Sequence, residues 1–131
     1  MKIIDVFANR PLAIVLTLIA LTLFGITCYF VRQEPDGTRF LRWDVAFAIA
    51  CTLALLAWNS LAARPLGTIA LAALAIPLLY GITDLTENVL LLQTKQDRHP
   101  TLLRGLFWAK FILFALAVMQ AILLRFVSRG R

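Results

Sequence analysis

The chain has 131 residues, of which 61% are hydrophobic and 15% are charged, and its net charge at pH 7 is +6. A mean hydropathy of +0.85 excludes an ordinary soluble domain, so we expect the lipid bilayer to be its solvent. The basic residues flank apolar runs, which is typical of membrane anchors and not of a nucleic-acid interface. The sequence therefore predicts a single transmembrane domain over residues 1–131.

Four apolar runs predict an all-α fold, an integral membrane four-helix bundle with antiparallel up-down topology. The predicted transmembrane spans cover about residues 11–31, 44–63, 66–94 and 105–126. Ahead of the first span, residues 1–10 mix apolar and basic side chains. This pattern fits either a helix lying on the membrane surface or a frayed end, and the sequence leaves both open.

The segments between the spans are short and polar. Residues 35–37, Pro-Asp-Gly, predict a turn outside the membrane after the first span. Only Arg64 and Pro65 separate the second and third spans, which predicts a tight antiparallel hairpin. The loop before the fourth span carries His99, and we interpret this single histidine as a surface residue and not as a metal ligand.

Small residues within the second span predict how it packs. Ala46, Ala50 and Ala54 recur every four residues, which favours a stripe that faces another helix. Cys28 and Cys51 each lie inside an apolar run without a nearby second cysteine. We therefore expect both to be buried as small hydrophobic residues, without a disulfide or a metal site.

The third span is the one long apolar run with ionisable groups inside it. Asp84, Glu87 and Asn88 follow a spacing of i, i+3 and i+4, which places them on one helical face, and Tyr80 continues that face. A carboxylate near the bilayer centre costs about 2.5 to 3.5 kcal/mol, so we expect this face to point into the bundle. Pro77 lacks an N–H, which predicts a kink just before the acidic residues.

The fourth span supplies a basic partner for these acids. Antiparallel packing brings Lys110 to nearly the depth of Asp84 and Glu87, which favours an internal ion pair, although a lysine there can also snorkel to the interface. Gln120, lower in the same span, is expected to make an interhelical hydrogen bond. We use the name polar cluster for five residues, Tyr80, Asp84, Glu87, Asn88 and Lys110.

The sequence Asp84-Leu85-Thr86-Glu87-Asn88, followed by Lys110 in the next span, resembles the D-x-x-E-N motif of a group of small four-helix bacterial membrane proteins. The resemblance covers about the last half of the chain. It implies that the polar cluster acts as a unit in a bacterial membrane protein. No activity is established for that group, so the resemblance implies no chemistry.

Three hypotheses of function remain open. The chain is an accessory or interaction subunit of a membrane complex, with a structural cluster that fixes helix register. Alternatively, it is a lipid-handling enzyme in which the catalytic candidates Asp84 and Glu87 perform acid–base chemistry, one of them protonated. The third hypothesis is a small transporter coupled to protons or cations, possible as a dimer. Because the sequence contains no nucleophile–base pair, P-loop or metal-ligand set, we favour a non-enzyme and expect no cofactor and no metal.

The surroundings of the chain follow from its class. We expect it in the inner (cytoplasmic) membrane, with membrane lipid and either a protein partner or a second copy as partners, and no nucleic acid. Six basic residues fall on the side of the termini and seven on the other side, a nearly even balance. Asp5 is the only acid on the terminal side, which favours cytoplasmic termini. This nearly even distribution of basic residues is also compatible with a dual-topology dimer.

Overall fold

The computed structural model describes residues 2–33, 39–93 and 100–130. Over these ranges the chain is all-helical, as predicted, and its elements are α1 (Lys2–Phe7), α2 (Arg10–Gln33), α3 (Arg39–Ala63), a 3₁₀ segment (Arg64–Leu74), α4 (Ala75–Gln93) and α5 (Pro100–Arg129). Three described stretches are long and apolar enough to cross a membrane: Arg10–Gln33, Arg39–Gln93 and Thr101–Arg129. The predicted turn at 35–37 and His99 lie outside the described residues.

The bundle is organised around α3, which packs against every other described element. Small side chains on several sides of α3 allow this close approach, and Ala48 and Ala57 are completely buried. Of the predicted alanine stripe, Ala50 and Ala54 are buried and Ala46 is half-buried. The prediction that the stripe faces other helices is therefore confirmed.

The N-terminal residues form a packed helix and not a frayed end. Ile4 and Ala8 are buried in an apolar cluster built from the end of α3 and the 3₁₀ segment. Asn9 then caps α2, because its side-chain oxygen accepts a hydrogen bond from the N–H of Leu12 at 3.4 Å. Pro11 lies in the first turn of α2, where its missing N–H costs no hydrogen bond.

The chain reverses between α3 and α4, because α3 packs against both the 3₁₀ segment and α4. The reversal depends on Gly67, which has φ 65° and ψ −133°, a left-handed backbone conformation that glycine adopts without steric cost. Pro65 lies two residues before it and donates no backbone hydrogen bond. The predicted hairpin is thus present, and its turn is centred slightly later than Arg64 and Pro65.

The prediction of one helix over residues 66–94 with a kink at Pro77 was wrong in its details. The non-helical backbone lies at Gly67, and 3₁₀ winding changes to α-helical winding between Leu74 and Ala75. Helix α4 then continues through Pro77 without a break. Pro77 falls in the first turn of α4, where a missing N–H is tolerated.

The other helices extend beyond their predicted spans. Helix α3 begins at Arg39 instead of 44, and α5 begins at Pro100 instead of 105. Hydropathy marks the apolar part of a helix, whereas hydrogen bonding continues into polar flanks, and a proline is well suited to the first helical position.

One of the two cysteine predictions also fails. Cys51 is buried, but Cys28 is exposed, and both thiols are free. Helix α2 packs chiefly against α3, so most of its apolar surface faces away from the protein. An apolar run in the sequence does not distinguish a residue inside the bundle from one on its outer apolar surface, where Cys28 lies.

Candidate functional site

The polar cluster is positioned by a close approach of α4 to α3. A Cβ atom built on Gly81 would lie 2.5 Å from the side-chain oxygen of Thr52 on α3, so any larger residue would push the helices apart. Tyr80 and Asp84, on the same part of α4, are both buried. Glycine at this position thus allows the face of α4 that carries Tyr80 and Asp84 to lie against α3. Helix α5 also packs against α4.

Lys110 lies between the two predicted acids. Its Nζ is 3.1 Å from Asp84 Oδ1 and 2.8 Å from Glu87 Oε2, although the angles of the second contact are outside those of a hydrogen bond. The ammonium also lies 5.6 Å from the ring centroid of Phe107 and 5.8 Å from that of Phe111. The lysine therefore makes the predicted internal ion pair and does not snorkel away from the acids.

Asp84 is the centre of the hydrogen-bond network. The Tyr80 hydroxyl donates to Asp84 Oδ2 at 3.0 Å, and the Asn88 amide donates to Asp84 Oδ1 at 3.5 Å. Asp84 is 2% exposed and Asn88 is 1% exposed, so these contacts are shielded from the surroundings. Together with Lys110 and Glu87, the structure brings all the residues of the predicted cluster into one site.

One member of the site was missed by the sequence analysis. The carboxyl group of Asp44 lies within the electrostatic reach of Asn88, Asp84 and Lys110. The sequence places Asp44 only at the start of the second predicted span. Helices α3 and α4 are antiparallel and touch where Thr52 faces Gly81. Asp44 lies about two turns before Thr52, and Asn88 lies about two turns after Gly81, so the two residues are at the same level of the bundle.

The site has more carboxyl groups than basic groups. The ammonium of Lys110 contacts Asp84 and Glu87, and the carboxyl group of Asp44 lies within its electrostatic reach. Among the described residues, the buried Oδ1 of Asn88 has no hydrogen-bond partner. The described ranges contain no group of three or more His, Cys, Asp or Glu that is arranged to hold a metal ion. Chemically, the site can hold helices together or bind a proton or a small cation.

The chain matches no protein-family model, no curated protein and no solved structure. The geometry of the chain itself must therefore carry the functional argument.

A second polar contact, which we call the Gln120 bridge, ties α5 to the 3₁₀ segment and α3. Gln120 Nε2 donates to Asn59 Oδ1 at 2.7 Å and to the backbone oxygen of Ala73 at 2.6 Å. Ala73 is the residue whose carbonyl would accept from position 77 in a regular helix, and Pro77 has no N–H to give. The predicted interhelical hydrogen bond of Gln120 is present, and one of its two acceptors is this carbonyl.

A groove of about 440 Å³ lies between α3 and α5. Its walls include Leu55 and Trp58 from α3 and Ile122 from α5, and its lining includes Arg125 and Arg129. None of the residues of the polar cluster line it. Chemistry on a lipid by Asp84 or Glu87, which needs a lipid cavity beside the carboxylates, therefore receives no support from this groove.

Proposed function

We propose that the protein is an integral protein of the bacterial inner membrane with four antiparallel spans and cytoplasmic termini. Apolar side chains cover the outer surfaces of α2, α3, α4 and α5, which supports burial of all four in lipid. The reversal at Gly67 divides the stretch Arg39–Gln93 into two antiparallel arms, which supports four spans. Both arms exceed about 17 residues, the lower end of the range for a transmembrane helix.

Cysteine labelling tests this topology. In a background with Cys28→Ser and Cys51→Ala, single cysteines are introduced at exposed positions near the helix ends, namely 9, 42, 104 and 130. A membrane-impermeant maleimide should label 42 and 104 in intact cells, and 9 and 130 only after permeabilisation. If 42 and 104 fell on opposite sides, the four-span topology would be wrong.

We further propose that the protein is an accessory or interaction subunit of a membrane complex. The observation that carries this proposal is the closure of the polar cluster by the protein's own side chains. Asp84 and Asn88 are almost completely buried, and Lys110 is engaged by two carboxylates. A closed, internally paired cluster favours a role in fixing the register of α3, α4 and α5, because substrates need an accessible site.

The outer surface of α5 is the candidate surface for binding a partner. Within Thr101–Arg129, Ala117 is the one residue that is fully buried. Large apolar side chains such as Trp108, Ile112 and Leu123 are exposed along this helix. In a bilayer these side chains pack equally well against lipid or against another helix, so α5 is available for association. We propose that it binds a partner subunit or a second copy of this chain.

Photocrosslinking along α5 tests this role. Benzoylphenylalanine is placed at the exposed positions Ile112, Met119 and Leu123, and at Leu113 and Val118, which pack against the core, as matched controls. In native membranes, the exposed positions should give discrete protein adducts, and the controls should give none. Adducts to lipid alone at every exposed position would contradict the proposal.

A second candidate function, transport coupled to a proton or cation, is favoured by one observation. Lys110 contacts two carboxyl groups and a third, that of Asp44, lies within its electrostatic reach, and such a surplus of carboxyl groups is suited to binding an additional proton or cation. Purified protein in liposomes that contain a pH-sensitive dye tests it directly. Proton flux that is lost in Asp84→Asn and Glu87→Gln but kept in Asp5→Asn, outside the cluster, would establish transport and refute a purely structural cluster.

A further inference from the structure

The groove between α3 and α5 has one chemical character along its walls and another at its end. The walls are apolar and include Leu55, Leu61 and Ile122. The indole N–H of Trp58 is already bonded to Thr17 Oγ1 at 2.9 Å, so this side chain offers the groove mainly apolar surface. A ligand that fits such walls is a hydrocarbon chain.

Two arginines near the C-terminus of α5 complete the lining. Arg125 and Arg129 are one helical turn apart and therefore project from the same face of the helix. Within the described residues, no ion pair joins either of them to a carboxylate. Asp5, at this end of the bundle, lies 3.6 Å from Arg64 and is already paired. Both guanidinium groups line the groove, where they can bind an external anion.

The length of the groove fits one leaflet of a bilayer. On α5 the lining extends from Val118 to Arg129, which corresponds to about 16 Å of helix at about 1.5 Å per residue. Half of a hydrocarbon core of about 30 Å is about 15 Å. The arginines therefore lie at the level of lipid headgroups when the apolar walls lie along the acyl chains.

We propose that this groove is a binding site for an anionic phospholipid, whose acyl chain lies against Trp58 and Ile122 and whose phosphate is held by Arg125 and Arg129. Guanidinium groups bind phosphate oxygens through paired hydrogen bonds, and the charges are complementary. The proposal rests on membrane insertion but not on the accessory role. It applies equally if the polar cluster transports protons.

Quenching of Trp58 fluorescence tests the site. Trp43→Phe and Trp108→Phe leave Trp58 as the only tryptophan, because the chain has three. The protein is reconstituted in phosphatidylcholine vesicles that contain a small fraction of brominated phosphatidylglycerol or brominated phosphatidylcholine with identical acyl chains. Quenching by either lipid reports insertion, whereas a preference for phosphatidylglycerol reports the site.

We expect brominated phosphatidylglycerol to quench at a lower mole fraction than brominated phosphatidylcholine, and this preference to fall about fivefold with each of Arg125→Gln and Arg129→Gln. The control variant Arg10→Gln/Arg64→Gln removes two charges from the same end outside the groove and should keep the preference. Ala121→Phe, which fills the groove, should reduce quenching by both lipids without changing the charge.

Two results would overturn the proposal. Equal quenching by the two lipids in the parent protein would show that the groove does not select an anionic headgroup. An equal loss of preference in the control variant would show that general interfacial charge, and not the groove, attracts the lipid. Circular dichroism of each variant verifies that the helical fold is retained.

Discussion

Replacing Lys110 by Met should destabilise the protein more than any single surface charge substitution. The ammonium lies 3.1 Å from Asp84 Oδ1 and 2.8 Å from Glu87 Oε2, and its side chain is 15% exposed. Breaking a buried ion pair by removing one partner costs about 3 to 5 kcal/mol, because the remaining charge is left uncompensated. Since the side chain of Lys110 is not fully buried, we expect a loss at the lower end of this range, about 3 kcal/mol.

Substituting the acids as well as Lys110 shows whether the loss of stability comes from an uncompensated carboxylate. Asp84→Asn or Glu87→Gln, added to Lys110→Met, removes the uncompensated carboxylate, so each double variant should recover part of the loss, with a coupling of about 1 to 3 kcal/mol. The coupling should be larger for Asp84, which is more buried and accepts a hydrogen bond from the ammonium. Unfolding by SDS titration or thermal melts in detergent gives these values.

A surface pair provides the matched control. Arg64 and Asp5 lie 3.6 Å apart with more than half of each side chain exposed, so Arg64→Met should cost less than about 1 kcal/mol. Strict additivity of Lys110→Met with both acid substitutions would refute the internal ion pair. The acids would then be held by Tyr80 and Asn88 without the lysine.

Four further substitutions test the packing. Gly81→Ala should cost about 1 to 3 kcal/mol through its clash with Thr52. Gly105→Ala, with no neighbouring atom within 4 Å of the added methyl, should be neutral or stabilising in the same thermal melts, and equal effects would contradict the close helix approach. Gln120→Leu should cost about 1 to 3 kcal/mol because it leaves the buried Asn59 Oδ1 without the hydrogen bond from Gln120, and an unchanged melting temperature would show that the bridge is not needed. Ala50→Leu should lower the melting temperature, since Ala50 is 6% exposed, and insertion and melting like the parent would refute its burial.

The sequence was sufficient for the helices and for most of the polar cluster. Apolar run length identifies helices in lipid, and the spacing of Asp84, Glu87 and Asn88 identifies one face of a helix. Lys110 could be assigned to them because a hairpin places residues at equal distances from its turn at similar depth. These arguments need only one helix at a time, or two helices and the turn between them.

The remaining features depend on contacts that no single helix contains. Asp44 joins the cluster through the register of α3 and α4, which is set where Gly81 touches Thr52. Asn59 is buried against α5, and its role follows from the position of Gln120 on a helix far away in the chain. The turn at Gly67 depends on a backbone conformation that glycine permits but does not require.

The Gln120 bridge also bears on the order in which the protein is made. When only α3 and α4 have been synthesised, Asn59 Oδ1 and the Ala73 carbonyl lack the hydrogen bonds that Gln120 donates, and Asp84 and Glu87 lack Lys110 beside them. Both deficiencies are removed by α5, which brings Gln120 and Lys110 on one helix. The hairpin of α3 and α4 is therefore incomplete by itself, and α5 adds the hydrogen-bond donor and the cation on one helix. We expect a chain that stops before α5 to keep these groups unsatisfied.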